Sequence, residues 1–156
     1  MFSITRSRRA FSLVELVIVV VILGIIGAIA IPRMSRGASG AGESALIADL
    51  AALRNAIELY KAEHGGTLPT AAAIEAQLTT YSSSAGATQA TPDSTYVYGP
   101  YLHAIPAIKV GARKGSNGIA AADAAGIGWL YNETTGKIIA NSTATSSDGV
   151  TTYDEF

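Results

Sequence analysis

Glu15 is the one charged residue between Phe11 and Ile31, a run of 21 residues that is otherwise apolar, small or, at Ser12, hydroxylic. At helical rise such a run covers roughly 30 Å, the thickness of a hydrocarbon core. A carboxylate in that setting is costly and by default marks a function, a fixed negative charge that wants a positive partner. The plainer reading is a side chain that bends back to the membrane interface. Insertion tolerates it either way. Two leucines, four valines and six isoleucines between Leu16 and Ile31 contribute roughly −5 kcal/mol on an insertion scale. Glu15 opposes this by about 3 kcal/mol at the midplane, and by less near the end of the segment.

Other reactive side chains are sparse. His64 and His103 are the only histidines, there is no cysteine, and no His-Glu-x-x-His spacing occurs. A catalytic zinc or a nucleophile–base dyad therefore lacks material, and both histidines are expected to be exposed polar residues. Without cysteine, disulfides, a lipoprotein anchor and thiol chemistry are excluded. Asp148-Gly149, Asp154 and Glu155 gather carboxylate oxygens near the C-terminus, the hard ligands that calcium takes in sets of six to eight. Asp148 and Asp154 are the candidate metal ligands; the alternative is a disordered acidic end. Residues 111–118 (GARKGSNG) are glycine-rich and basic but lack the Gly-Lys-Ser/Thr end of a phosphate loop, so a solvated loop is expected. Arg113 and Lys114 alone make a weak DNA site, and a net charge of −1 supplies no basic field for nucleic acid. Asn132-Glu-Thr134 and Asn141-Ser-Thr143 match the glycosylation sequon, a short pattern that also arises by chance.

Arg6, Arg8 and Arg9 precede the apolar run and bias its N-terminal end to the cytoplasm, while Arg33 and Arg36 beyond it weaken that bias. A removable signal peptide would have a shorter apolar core and a small-residue cleavage site after it, whereas this run is long and ends in Ile31-Pro32-Arg33. A plain signal anchor fits the hydropathy and leaves Glu15 without a purpose. Ala10-Phe11-Ser12-Leu13-Val14-Glu15-Leu16 strongly resembles the leader of the type IV pilin and type II secretion pseudopilin family. Ala10 stands where that family nearly always has Gly. The resemblance implies cleavage between Ala10 and Phe11 by a prepilin peptidase, N-methylation of the new Phe11 amine, and a register role for Glu15. With Phe11 and Glu15 four residues apart, amine and carboxylate share a helix face. The amine of an incoming copy would meet the Glu15 of a docked one.

The resemblance also implies partners: further copies of the chain in a filament, an inner-membrane assembly platform with its ATPase, minor pseudopilins, and lipid before assembly. It implies a single-pass protein of the cytoplasmic membrane with its C-terminal domain outside the cytoplasm, then a periplasmic or surface filament, and no enzymatic activity. Gly99-Pro100-Tyr101-Leu102 with Ile105-Pro106 is similar to major pseudopilins, which continue with an Asp-Pro-Trp-Gly-like run where this chain has Ala107-Ile108-Lys109-Val110. Those proteins use a C-terminal calcium loop in place of a disulfide, which is the second reason to consider Asp148 and Asp154. No cofactor is required otherwise. A type IV pilus subunit for adhesion, motility or DNA uptake is the alternative within the class; a signal-anchored binding module is the alternative outside it.

The elements that must position these residues follow from periodicity. Residues 1–10 form the leader, 11–32 the membrane and filament-core helix, 33–64 an amphipathic helix, and 65–156 a globular α+β head with a polar tail. The fold class that the resemblance implies is α+β and pilin-like, a long N-terminal helix packed on a small antiparallel sheet. Gly24, Gly27, Ala28 and Ala30 offer a small-residue face for close packing. Pro32 should kink or break the helix near residues 28–32, and Gly37, Gly40 and Gly42 weaken it further on. Leu46, Leu50, Leu53, Ile57 and Tyr60 recur at helical steps within 43–64, and Gly65-Gly66 stops the run. Thr70 is expected to cap a short helix from 71 to about 80 with Ile74 and Leu78 inward. Residues 82–95 read as a mobile polar loop and 96–98 as a short strand. Residues 126–132 and 137–141 read as a hairpin packed through Trp129, Tyr131, Ile138 and Ile139.

Overall fold

The computed structural model describes residues 11–156, with side chains described for 11–29 and 39–156. The chain divides into two compact units, Met1–Ala38 and Ser39–Phe156. One helix, α1 (Leu13–Glu63), contributes to both. Its backbone stays helical through Pro32 and through Gly37, Gly40 and Gly42, so the helix is not broken at residues 28–32. A proline removes one hydrogen bond, and strong helix formers on either side can outweigh that loss.

In the first unit the described side chains of α1 are, apart from Glu15, apolar or small and exposed almost all round, from Leu13 to Ile29. A helix apolar on every face belongs in lipid or in a bundle. In the second unit α1 is amphipathic. Leu46, Leu50, Leu53, Ala56, Ile57 and Tyr60 are buried, while Ile47, Arg54, Asn55, Glu58 and Leu59 are exposed. The helix ends as the double glycine requires. Gly65 takes φ +64°, and the Gly66 N–H donates to the Lys61 carbonyl at 2.8 Å, the six-to-one bond of a Schellman turn.

Ile74 and Leu78 of α2 (Ile74–Thr79) fill the core beside α1. Thr70 does not cap this helix. The N-cap is Ala73, without a side-chain hydrogen bond, and the Thr70 carbonyl instead closes the preceding turn on the Ala73 N–H at 3.1 Å. The segment expected to be a mobile loop begins with a tight hairpin, β1 (Tyr81–Ser82) paired antiparallel with β2 (Thr88–Gln89). Tyr98 adds only an isolated bridge to Ser82, so 96–98 is not a strand of its own.

The main sheet has the order β3-β4-β5. β4 (Ile127–Tyr131) and β5 (Ile138–Ala140) form the expected hairpin, with Trp129 opposite Ala140 and Tyr131 opposite Ile138. β3 (Gly118–Ala120) pairs parallel to β4, so the sheet is mixed rather than antiparallel throughout. Parallel neighbours usually need a long crossover. A three-residue strand extends only about 10 Å, so a short loop suffices to return the chain. Trp129 and Tyr131 point into the core and are tied down at their polar ends, Trp129 Nε1–H to the Pro106 carbonyl (2.8 Å) and Tyr131 O–H to the Pro69 carbonyl (3.0 Å). Ile138 is buried with them, whereas Ile139 lies on the opposite, half-exposed face and is not a core residue. Glu75 of α2 reaches β3, accepting the Ile119 N–H at 2.7 Å.

The last fifteen residues are folded. Tyr153 is buried in the core, and a 3-10 turn (Tyr153–Glu155) closes the chain against β5. Arg54 of α1 donates to the Phe156 carbonyl at 2.6 Å and to the Ile138 carbonyl at 3.4 Å.

Candidate functional site

The membrane-proximal end of α1 places Glu15 in its first turn. Phe11 and Ser12 precede the helix, and Phe11 is 83% exposed. The Ser12 N–H donates to Glu15 Oε2 at 3.1 Å, and the Val14 N–H donates to Ser12 Oγ at 3.3 Å. Together these cap the helix start, Ser12 Oγ taking the second N–H of the helix and Glu15 taking the Ser12 N–H, which satisfies backbone donors that would otherwise be unpaired. Ser12-x-x-Glu15 matches the capping-box sequence signature and gives Glu15 a second, local use at its own helix start. Among the described residues Glu15 Oε1 makes no hydrogen bond, so the carboxylate keeps acceptor capacity for a partner. Ala10, the residue before the expected cleavage point, lies outside the described residues.

The tail residues proposed for calcium are not brought together as a metal group. Among the described residues no cluster of three or more His, Asp or Glu side chains could hold an ion. Asp148 is spent on its own turn. Its carboxylate accepts the Ser146 hydroxyl (2.7 Å), the Val150 and Thr151 N–H groups (2.8 and 2.9 Å) and the Thr151 hydroxyl (2.6 Å). Those donors, the Thr151 hydroxyl first, hold the Asp148 carboxyl far below the usual carboxylate range. Asp154 Oδ1 is buried and makes no hydrogen bond.

Glu43 of α1 holds this turn. It accepts the Ser147 hydroxyl (2.5 Å), the Ser147 N–H (2.6 Å) and the Tyr153 hydroxyl (3.0 Å). The Ser147 hydroxyl is the main reason its carboxyl is lowered, against a smaller opposing push from burial. No sequence pattern links positions 43 and 147, so this contact was not foreseen.

His64 differs from the expectation of an exposed residue. It is buried at the end of α1, stacked on Tyr60 with ring centroids 3.8 Å apart. Nδ1 lies 2.8 Å from the Tyr60 carbonyl, and Nε2 lies 3.0 Å from the Ser83 carbonyl and 3.2 Å from the Ser82 hydroxyl. The imidazole thus ties α1 to β1, a structural task. His103 is exposed, as expected. Arg113 is engaged by Asp123 at 2.7 Å rather than free for an anion.

Beside the β4–β5 turn lies an open groove of about 580 Å³, floored by Leu130 and Ile139 and rimmed by Asn132, Glu133 and Lys137.

A family model, the prokaryotic N-terminal methylation motif, matches residues 5–31. That motif is the prepilin leader signature of type IV pilins and pseudopilins, and the α+β layout around a long first helix is pilin-like. The motif implies a membrane-anchored, pilin-like protein, and pilin-like proteins are structural. The motif implies processing by a prepilin peptidase and assembly into a pilus-like filament. Neither a curated protein nor a solved structure matches the chain. Among the described residues no helix is long and apolar enough to cross a membrane, and in the first unit the described side chains end at Ile29.

Proposed function

We propose that this protein is a type II secretion pseudopilin, a structural subunit whose filament drives the export of folded proteins. The observation that carries the reading is Glu15, a carboxylate four residues after Phe11 inside the methylation motif, with one oxygen unused by its own helix. A prepilin peptidase cuts between Ala10 and Phe11, and the new amine is methylated. The subunit then waits in the cytoplasmic membrane as a single-pass protein with residues beyond the span outside the cytoplasm. An ATPase-driven assembly platform draws it into a periplasmic filament begun by minor pseudopilins. There the Phe11 amine of one copy meets the Glu15 of its neighbour. Pairing offsets the desolvation of both charges, and leaving one unpaired costs several kcal/mol. The Gly99-Pro100-Tyr101-Leu102 and Ile105-Pro106 pattern supports secretion over a surface pilus.

The test is the Glu15→Ala variant together with the mass of the mature N-terminus. The expected result is normal membrane insertion, a methylated Phe11 in the wild type, and loss of the variant from filaments. Filament yield equal to the wild type would remove the register role, and a retained leader would remove the class of function. Long surface fibres with export intact would replace the secretion reading with a type IV pilus subunit.

A further inference from the structure

The two sequons have opposite fates in the fold. Asn141 is buried, and its Nδ2 donates to Asp123 Oδ1 (2.7 Å) and to the Ile127 carbonyl (2.9 Å). Its amide nitrogen is inaccessible. Asn132, Glu133 and Thr134 are all exposed at the tip of the β4–β5 hairpin. There Asn132 Oδ1 accepts the Thr134 and Thr135 N–H groups, both at 3.0 Å. The amide oxygen is thereby fixed and Nδ2 is turned away from the backbone. Among the described residues neither Asn132 Nδ2 nor the Thr134 hydroxyl makes a hydrogen bond, so both groups that define the sequon are available to an enzyme. The groove alongside has an apolar floor, Leu130 and Ile139, and polar rims at Glu133 and Lys137. That pattern suits a pyranose ring, which has an apolar face and hydroxyls at its edge.

We propose that Asn132 is an acceptor for an N-linked saccharide, transferred from a polyprenyl-pyrophosphate donor by a membrane oligosaccharyltransferase. In the transfer, Asn132 Nδ2 forms a bond to the anomeric carbon and the bond from that carbon to the phosphate oxygen breaks. Its electron pair leaves with the lipid pyrophosphate, and the amide gives up one proton. The proposal rests on the reading that the head lies outside the cytoplasm, where such donors face.

The experiment is peptide mapping by mass spectrometry of the full chain, purified in detergent from the cells that make it, with the N-terminal peptide read in the same run. A saccharide mass on the peptide holding Asn132 and none on Asn141 is expected. Thr134→Ala should abolish it while the two bonds from the 134 and 135 N–H groups persist, and Thr134→Ser should restore it. A bare Asn132 peptide beside a methylated Phe11 overturns this proposal and leaves the filament reading intact. A saccharide on Asn132 beside a retained leader does the reverse. Modification at Asn141, or modification that survives Thr134→Ala, also overturns it.

Discussion

Acidic side chains in this molecule are defined by their donors more than by their neighbours in sequence. Asp148 and Glu43 are both held below the ordinary carboxylate range by hydroxyl and N–H donors of the tail. A carboxyl depressed on folding adds stability that is complete above its unfolded value near 4 and is lost as pH falls through the folded one. The head should therefore keep its melting temperature from pH 7 to about 5 and lose it progressively below about pH 4. Asp148→Asn should lower the neutral-pH melting temperature and flatten that acid limb, as thermal unfolding by circular dichroism would record. An acid limb of the same slope in Asp148→Asn would shift the effect to other carboxyls. The four donors already on Asp148 also predict equal melting temperatures in calcium and in chelator, and a rise with calcium would restore the ligand role.

At the scale of elements, two contacts decide how the parts dock. His64→Ala removes the bridge between the end of α1 and the β1 loop and leaves whichever of the Tyr60 and Ser83 carbonyls the imidazole N–H serves with one partner fewer, a loss of roughly 1–3 kcal/mol. Denaturant melts of the two proteins measure it directly. Gly128, in the middle of β4, faces the Ser116 carbonyl so closely that a Cβ has no room. Gly128→Ala should cost more than the ordinary few tenths and lower expression, whereas Gly115→Ala meets no atom within 4 Å and is strained only by its φ of +92°. The elements with strong periodicity were legible in the sequence. The amphipathic half of α1, the glycine stop and the β4–β5 hairpin all follow from apolar spacing and turn chemistry. What escaped has no period to read. β3 is the tripeptide Gly-Ile-Ala, whose pairing depends on a partner later in the chain. The tail is serine, threonine and aspartate, polar by composition yet ordered by its own side-chain bonds and by Glu43. His64 looked like a surface residue by type, although Tyr60 one helical turn earlier was the available hint.

At the scale of the whole molecule, every buried apolar side chain among the described residues lies between Leu46 and Tyr153. A fragment of residues 39–156 therefore carries the entire core and should fold as a soluble domain, while the full chain should require detergent. Cooperative thermal unfolding of the fragment, with near-ultraviolet dichroism from Trp129, is the expected observation. A fragment lacking that signal would mean that the apolar half of α1 contributes to folding of the head.

Glu75 takes the Ile119 N–H of β3, and Arg54 donates to the Ile138 carbonyl of β5, against which the closing turn also packs. An open sheet margin is a template on which a second chain can add a strand, and a crowded membrane would favour that error. With a donor on β3 and a carbonyl on β5 already engaged by side chains, each margin offers a second chain fewer free groups to pair with. In the proposed filament, polymerisation then falls to the apolar N-terminal half of α1, where it can be controlled.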